Sequence, residues 1–393
     1  MLPRDFTEEQ QMFRSAYRKF LEQEVAPNVD AWREQGIVDR EVFKKAGEQG
    51  FLMVWPDEQY GGMGDRDFRF EQIIIEETAN VYGGDWANTL HSRLVGPYID
   101  RFGSEEQKAR FLPRCVSGEL ILAVAMTEPD AGSDPAGMKT RAGEQGDHWV
   151  LNGAKTYISN GILGDLFVVA ARTDPDTPGR EGITIFAVDT RDPGFSIQPF
   201  ETFGTTHTPP TFYDGVRVPD TMRIGEVNGG WGLITSQLNR ERVSLFPAGR
   251  MARLVDDAVS WAGETRLADG RRAIDQERVK VILAECLALV RHLDLLNWWV
   301  AHENTNGRMN PADASSVKVH GSESMHRIYT RLTEAVGTPG NPDEGSPGAD
   351  LAARIEVAYR SVWVLTFGGG TNEIQRDIIG AAGLGLPREQ RRK

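Results

Sequence analysis

Apolar residues return every three or four positions from the start of the chain. Phe13, Tyr17, Phe20 and Leu21 fall on one helical face, and Thr7 with Gln10 three residues later forms a capping-box signature. Helical periodicity then continues, with breaks, to about residue 122. The run 56–64 (PDEQYGGMG) is too rich in glycine and proline for a regular element and predicts a tight loop between helices. From about Leu120 to Val227 the pattern shortens into β-rich runs, WVLNGAKTYIS, LFVVAAR, GITIFAV and FSIQPF, divided by turn residues. The Asn-Gly pairs at 152–153 and 160–161 predict hairpin-type turns, and Pro209, Pro210 and Pro219 limit the later strands. After Gly229, Gly230 and Gly232 the helical pattern resumes. Its clearest element runs from about Asp275 to His302, with Val279, Ile282, Leu283, Cys286, Leu289, Val290, Leu293, Leu296 and Val300 on one stripe. The segment 337–348 (GTPGNPDEGSPG) reads as a loop inside this last part. The layout is mainly α with a central β domain, divided as 1–122, 123–228 and 229–393.

A length of 393 residues is ample for large cores, and the remaining bulk numbers work by exclusion. A formal net charge of -13 argues against nucleic acid or anionic membrane surfaces as partners, so an anionic ligand must meet locally placed donors. The 2 cysteines, Cys115 and Cys286, form no CxxC pair, which fits a reducing cytoplasm. The start MLPRDFTEEQQMFR lacks an apolar leader region, and no run is long and apolar enough to span a membrane. The 7 histidines show no metal spacing, His320 and His326 reading as surface or packing residues, so no metal is expected.

The most informative run is AVAMTEPDAGSDPAGMKT at 123–140. Thr127 beside a glycine-containing turn offers donors to a flat heteroaromatic edge, and Gly132 with Ser133 lets backbone approach a phosphate or amide. In LNGAKTYISNG, about twenty residues on, Tyr157 can stack on a ring and Ser159 can donate to it. Tyr157 also suits a plain β-domain core aromatic. Together with YGGMG at 60–64, FGSEEQKARFLPRCVSGEL at 102–120 and GGTNEIQR at 369–376, these segments resemble the acyl-CoA dehydrogenase family in order along the whole chain. The resemblance implies a helical N-terminal domain, a β barrel-like middle domain and a C-terminal four-helix bundle, with FAD as cofactor. It implies that Met126 and Thr127 contact the flavin edge, and that Tyr157 replaces the usual Trp beside it. Ser159 would donate near flavin N5, and Ser133 would lie where pantetheine or the flavin diphosphate passes. Thr371, Asn372 and Glu373 match the C-terminal segment that touches the cofactor. Arg266 corresponds loosely to an Arg that reaches a neighbour's FAD, since R-x-x-F-G is here RLADG.

The implied reaction is α,β-dehydrogenation of an acyl-CoA to the trans-2-enoyl-CoA. A carboxylate removes the α proton and hydride passes from the β carbon to flavin N5. Most members of the family carry the base in Tyr-Glu-Gly-Thr. Here the run reads Gly368, Gly369, Gly370, Thr371, so Gly369 occupies the carboxylate's place. Relatives with the base on an earlier helix place it in a motif matched by SQLNRERVSLF at 236–246, which implies Glu241 as base, with Asn239, Arg242, Ser133 and Gly369 near substrate. An isolated Arg-Glu-Arg is otherwise a solvated, charge-balanced face, and glycines after a helix otherwise end it. LNRERV, FGGGTNEIQRDIIG and LGLPR look most like one subunit of bacterial heterotetrameric enzymes of steroid side-chain β-oxidation. EAVGTPG at 334–340, in place of Gln-x-x-Gly-Gly-x-Gly, fits a second, different acyl-CoA dehydrogenase-like subunit. An electron-transfer flavoprotein would accept the electrons. Two other readings stay open: a non-catalytic subunit completing another's site, and a flavin oxidase or monooxygenase.

Overall fold

The computed structural model describes residues 5–81, 86–177, 179–204, 208–236, 248–267, 269–337 and 348–387. Helix α1 (Glu8–Phe20) starts on the expected capping box. The Thr7 hydroxyl accepts from the Gln10 N–H, and the Gln10 amide returns a bond to the Thr7 N–H. Tyr17, Phe20 and Leu21 are buried, with Phe13 packed against them. Further helices follow, α2 (Val29–Gln35), α3 (Glu41–Glu48), α4 (Phe68–Asn80), α5 (Gly96–Phe102) and α6 (Glu105–Val116). The 56–64 loop is closed tightly: Gly61 and Gly64 take positive φ, and a Cβ on Gly62 would lie 2.1 Å from the Pro56 carbonyl oxygen.

The middle of the chain is one sheet of β1 (Leu122–Ala125), β2 (Arg141–Gln145), β3 (His148–Lys155), β4 (Leu166–Arg172), β5 (Ile183–Asp189), β6 (Phe195–Ile197), β7 (Thr211–Pro219) and β8 (Arg223–Ile224). The order is β6-β7-β3-β2-β4-β5-β8, with β1 parallel to β4. Strand β7 begins directly after Pro210 and ends on Pro219, as the prolines require. The expected hairpin turn at Asn152–Gly153 is not there. The β2–β3 turn is made by Gly146 and Asp147, and Asn152 and Gly153 stay paired within β3, opposite a bulge that leaves Gly215 of β7 as the extra residue. The physical reason is local: Asn152 Oδ1 accepts from the Gly215 N–H at 2.9 Å, and a Cβ on Gly153 would meet the Thr140 hydroxyl at 2.5 Å. Asn160, at φ 59, does sit in a turn.

Helix returns at residue 230 and is described as far as 236. Four long helices, α7 (Ala248–Glu264), α8 (Glu277–Thr305), α9 (Pro311–Val336) and α10 (Ala349–Val362), then pack in a ring. The α8 stripe is buried at Val279, Ile282, Leu283, Cys286, Val290, Leu293 and Val300, while Leu289 and Leu296 are half-buried. Most of the 337–348 loop lies outside the described residues. A short helix α11 (Asn372–Ile378) follows and runs on into a π-helical turn at Ile379–Gly383. The N-terminal helices and the sheet share one core, and the bundle has its own. No helix among the described residues is long and apolar enough to cross a membrane.

His91 joins the first helical part to the sheet. Its Nε2 donates to the Cys115 carbonyl at 3.0 Å and its Nδ1 accepts from the Leu122 N–H at 3.1 Å, which fixes a neutral tautomer at the start of β1. Burial lowers its pKa to about 4. Between the ordinary value of about 6.5 and that value, the unfolded chain binds a proton that the folded one refuses, so stability falls with falling pH. Urea midpoints of the wild type and His91→Gln at pH 7 and 4.5 should show the difference. The wild type should lose about 2–3 kcal/mol more than the variant over that interval.

Candidate active site

Two strand ends and one C-terminal turn face each other across a cavity of about 1420 Å³. Strand β1 delivers Met126 and Thr127. Their carbonyls are fixed from the neighbouring strand end, Met126 O by the Lys155 ammonium at 3.0 Å and Thr127 O by the Thr156 N–H at 2.9 Å. Strand β3 delivers Tyr157, whose φ of 59 is unusual for a tyrosine and which is 64% exposed at the cavity edge. Opposite lies the 368–371 turn. Gly369 and Gly370 have φ 68 and 93, and a Cβ on Gly370 would lie 2.5 Å from the Gln375 amide nitrogen. The turn ends when the Thr371 hydroxyl accepts from the Ile374 N–H at 3.2 Å and starts α11.

Beneath Met126 lies a buried ion pair. Lys155 Nζ donates to Glu128 Oε1 at 2.9 Å, and both side chains are almost fully withdrawn from solvent. Desolvation presses the Lys155 ammonium down to about 8, against the pull of Glu128. The same desolvation pushes Glu128 up, but the Lys155 charge and the donors of Thr140 and Lys139 outweigh it and hold the carboxyl below its ordinary range. The two shifts pull in opposite senses for the pair. The ionised form prevails at neutral pH, because the carboxylate also accepts from the Lys139 N–H at 2.6 Å and the Thr140 N–H at 3.0 Å.

Of the residues singled out in the sequence, Met126, Thr127, Ser133, Tyr157, Ser159, Gly369 and Thr371 line this one cavity. Asn372 does not. It is buried behind the turn, where its Oδ1 accepts from Lys318 Nζ at 2.7 Å and from the Ser322 hydroxyl at 3.1 Å. Glu373 is exposed, and its own N–H and the Thr371 hydroxyl hold its carboxyl below the ordinary range. Arg266 lies apart from the cavity, donating to the Gly270 carbonyl at 2.9 Å. Glu241, Asn239 and Arg242 lie outside the described residues. Sequence reasoning passed over Lys155, although position 155 shares the parity of the inward-facing Trp149 and Leu151. An ammonium at an inward strand position calls for a buried acceptor. Arg180 and Trp231, which also line the cavity, carried no sequence signal.

The arrangement suits a flavin. The volume exceeds the about 300–1,000 Å³ usual for one small ligand, as a dinucleotide and a substrate together require. The hydroxyls of Thr127, Ser133 and Ser159 face it without a partner among the described residues, and Tyr157 offers an aromatic face. Met126, Thr127, Ser133, Tyr157, Ser159 and Thr371 would hold the group.

Comparison with known proteins agrees with this geometry. The acyl-CoA dehydrogenase N-terminal, middle and C-terminal domain models match residues 7–119, 123–214 and 228–384. Acyl-CoA dehydrogenase FadE29 of Mycobacterium tuberculosis is 39% identical over 392 residues, covering 98% of this chain and 99% of its own. A chain of the ChsE4-ChsE5 complex from Mycobacterium tuberculosis superposes with a TM-score of 0.89 at 37% identity, over 99% of this chain and 100% of that one. The Tcur3481-Tcur3483 steroid ACAD gives 0.87 at 36% identity, over 98% and 99%.

The buried pair sets a prediction. Lys155→Met leaves the Glu128 carboxylate buried without its cation and should cost about 3–5 kcal/mol. Urea unfolding and the FAD-to-protein ratio should both fall, and adding Glu128→Gln should recover part of each. An unaltered midpoint and flavin content in the single variant would show that the pair does not hold the site.

Proposed function

The chain belongs to the acyl-CoA dehydrogenase family, and we propose that it dehydrogenates a bulky acyl-CoA, a steroid side-chain thioester, with Glu241 as the base. FAD-dependent oxidation of an acyl-CoA is the family's activity; the base, acyl group and assembly go further. The 368–370 turn carries the proposal. Gly369 lines the cavity and presents backbone, with no side chain to take a proton. Among the described lining residues the carboxylates are Asp134 and Asp377, both exposed. A base must therefore arrive from another segment. Ile234 and Thr235, in the helix described for 230–236 shortly before Glu241 in the sequence, line the cavity, which supports Glu241 as that base.

Removal of the α proton by Glu241 sends negative charge onto the thioester oxygen, and the Gly369 N–H is a donor suited to it. The bound flavin supplies the acceptor for the hydride leaving the β carbon. The glycines leave space that a side chain would fill, which supports a bulky acyl group. Likeness to a two-protein complex and to a steroid ACAD supports the substrate class and a heterotetramer with a second, related subunit. Exposed Trp363, Val364, Phe367, Leu384 and Leu386 give this side of the molecule an apolar surface for that neighbour. Electrons would pass to an electron-transfer flavoprotein in the cytoplasm.

Anaerobic mixing with acyl-CoA should bleach the flavin of the wild type. Glu241→Gln, with FAD retained, should slow bleaching by a factor of about 100 or more. Unchanged bleaching would remove Glu241 from the role. The bare Gly369 also favours a second reading, a non-catalytic subunit, and FAD absent from this chain together with full turnover of the complex bearing Glu241→Ala would select it.

A further inference from the structure

Arg172, the last residue of β4, spends its entire guanidinium on main chain. Nε donates to the Met138 carbonyl at 3.2 Å, and Nη1 to those of Thr177 at 3.0 Å and Glu181 at 3.1 Å. Nη2 donates to Ala136 at 2.7 Å and Gly179 at 3.0 Å. All five N–H groups are used. Asp174 is near enough to feel the charge, yet its carboxylate accepts instead from the Asp176 and Thr177 N–H groups and the Thr177 hydroxyl. The five carbonyls belong to two loops that border the cavity. One loop carries Ser133 to Ala136 and the other carries Gly179 and Arg180. The clamp thus joins the two loops and fixes the backbone on either side of Arg180.

The Arg180 guanidinium lies over the Trp231 ring, 5.3 Å from its centroid. It is exposed, and among the described residues no carboxylate forms an ion pair with it, although Asp134 borders the same cavity. Among the described lining residues the other cation, Arg376, is paired to Glu323 at 2.6 Å. In a chain of formal net charge -13, this leaves a localised positive group on a cavity border, stacked on an indole and held by a saturated clamp. Such a group suits a phosphate.

We propose that Arg180, carried on Trp231 and positioned by Arg172, recognises a phosphate of the coenzyme A nucleotide and so makes the chain prefer CoA thioesters over thioesters on a phosphate-free arm. This rests on the acyl-CoA reading above. Arg180 acts on the ligand directly; Arg172 is a positioning residue.

The test compares the acyl-CoA that the FAD-loaded protein, with any partner chain, oxidises best with the N-acetylcysteamine thioester of the same acid. In Arg180→Gln the ratio of the two kcat/KM values should fall about tenfold at low ionic strength, the loss of one charge-assisted bond. The wild-type ratio should decline with added salt, and the variant's should decline less. The 3′-dephospho-CoA thioester divides the effect between the 3′-phosphate and the diphosphate. Arg172→Lys keeps a charge but has three donors, and should lower the same ratio with Arg180 intact. Arg180 is exposed, so its variant keeps the test independent of folding. An unchanged ratio in Arg180→Gln overturns the proposal. A fall in its FAD-to-protein ratio overturns it differently, by assigning the group to the flavin diphosphate. A wild type that binds FAD and oxidises neither thioester overturns the activity reading, and this inference with it.

Discussion

The contact between Lys155, Glu128 and the Met126 carbonyl is the interaction on which the cavity depends. An ammonium and a carboxylate withdrawn from water are costly unless each is fully satisfied. Here the cost is offset by drawing three stretches of chain to one point: the ends of β1 and β3 and the backbone at 139–140. The result is rigid backbone where Met126 and Thr127 meet the cavity. A hydrophobic pair of the same volume could fill the space, but it could not hold a carbonyl in a chosen direction.

A second constraint acts on the opposite wall. The 368–370 turn requires left-handed backbone at Gly369 and Gly370, and a Cβ at Gly370 would also displace the Gln375 side-chain amide. A turn built this way presents amides and open volume in place of a carboxylate. On the function proposed above, the base is supplied from elsewhere, which ties its identity to the shape of the pocket.

Much of this was legible in the sequence, for identifiable reasons. The α1 cap, the α8 stripe and the β run after Leu120 depend on short-range periodicity, and they appear close to where periodicity puts them. Asn152–Gly153 misled because the pair favours a turn only where the strand can end, and here Gly215 and Thr140 hold it within the sheet. At the site, motif order located seven residues on one cavity wall or another. It could not show that Asn372 faces inward toward Lys318, nor that Arg172 reaches back to the carbonyls of Ala136 and Met138, because both depend on residues distant in sequence. Polar partners of this kind have no period.

Lys318 shows that the device under Met126 is used twice. On α9 its ammonium donates to the Thr366 carbonyl at 3.1 Å and to Asn372 Oδ1 at 2.7 Å, gripping the chain on both sides of the glycine turn. Each wall of the cavity is therefore fixed by a buried lysine that holds a backbone carbonyl at or next to a lining residue. The two lysines stand on different folding units, one on the sheet and one on the bundle, so each wall can be set as its own unit folds.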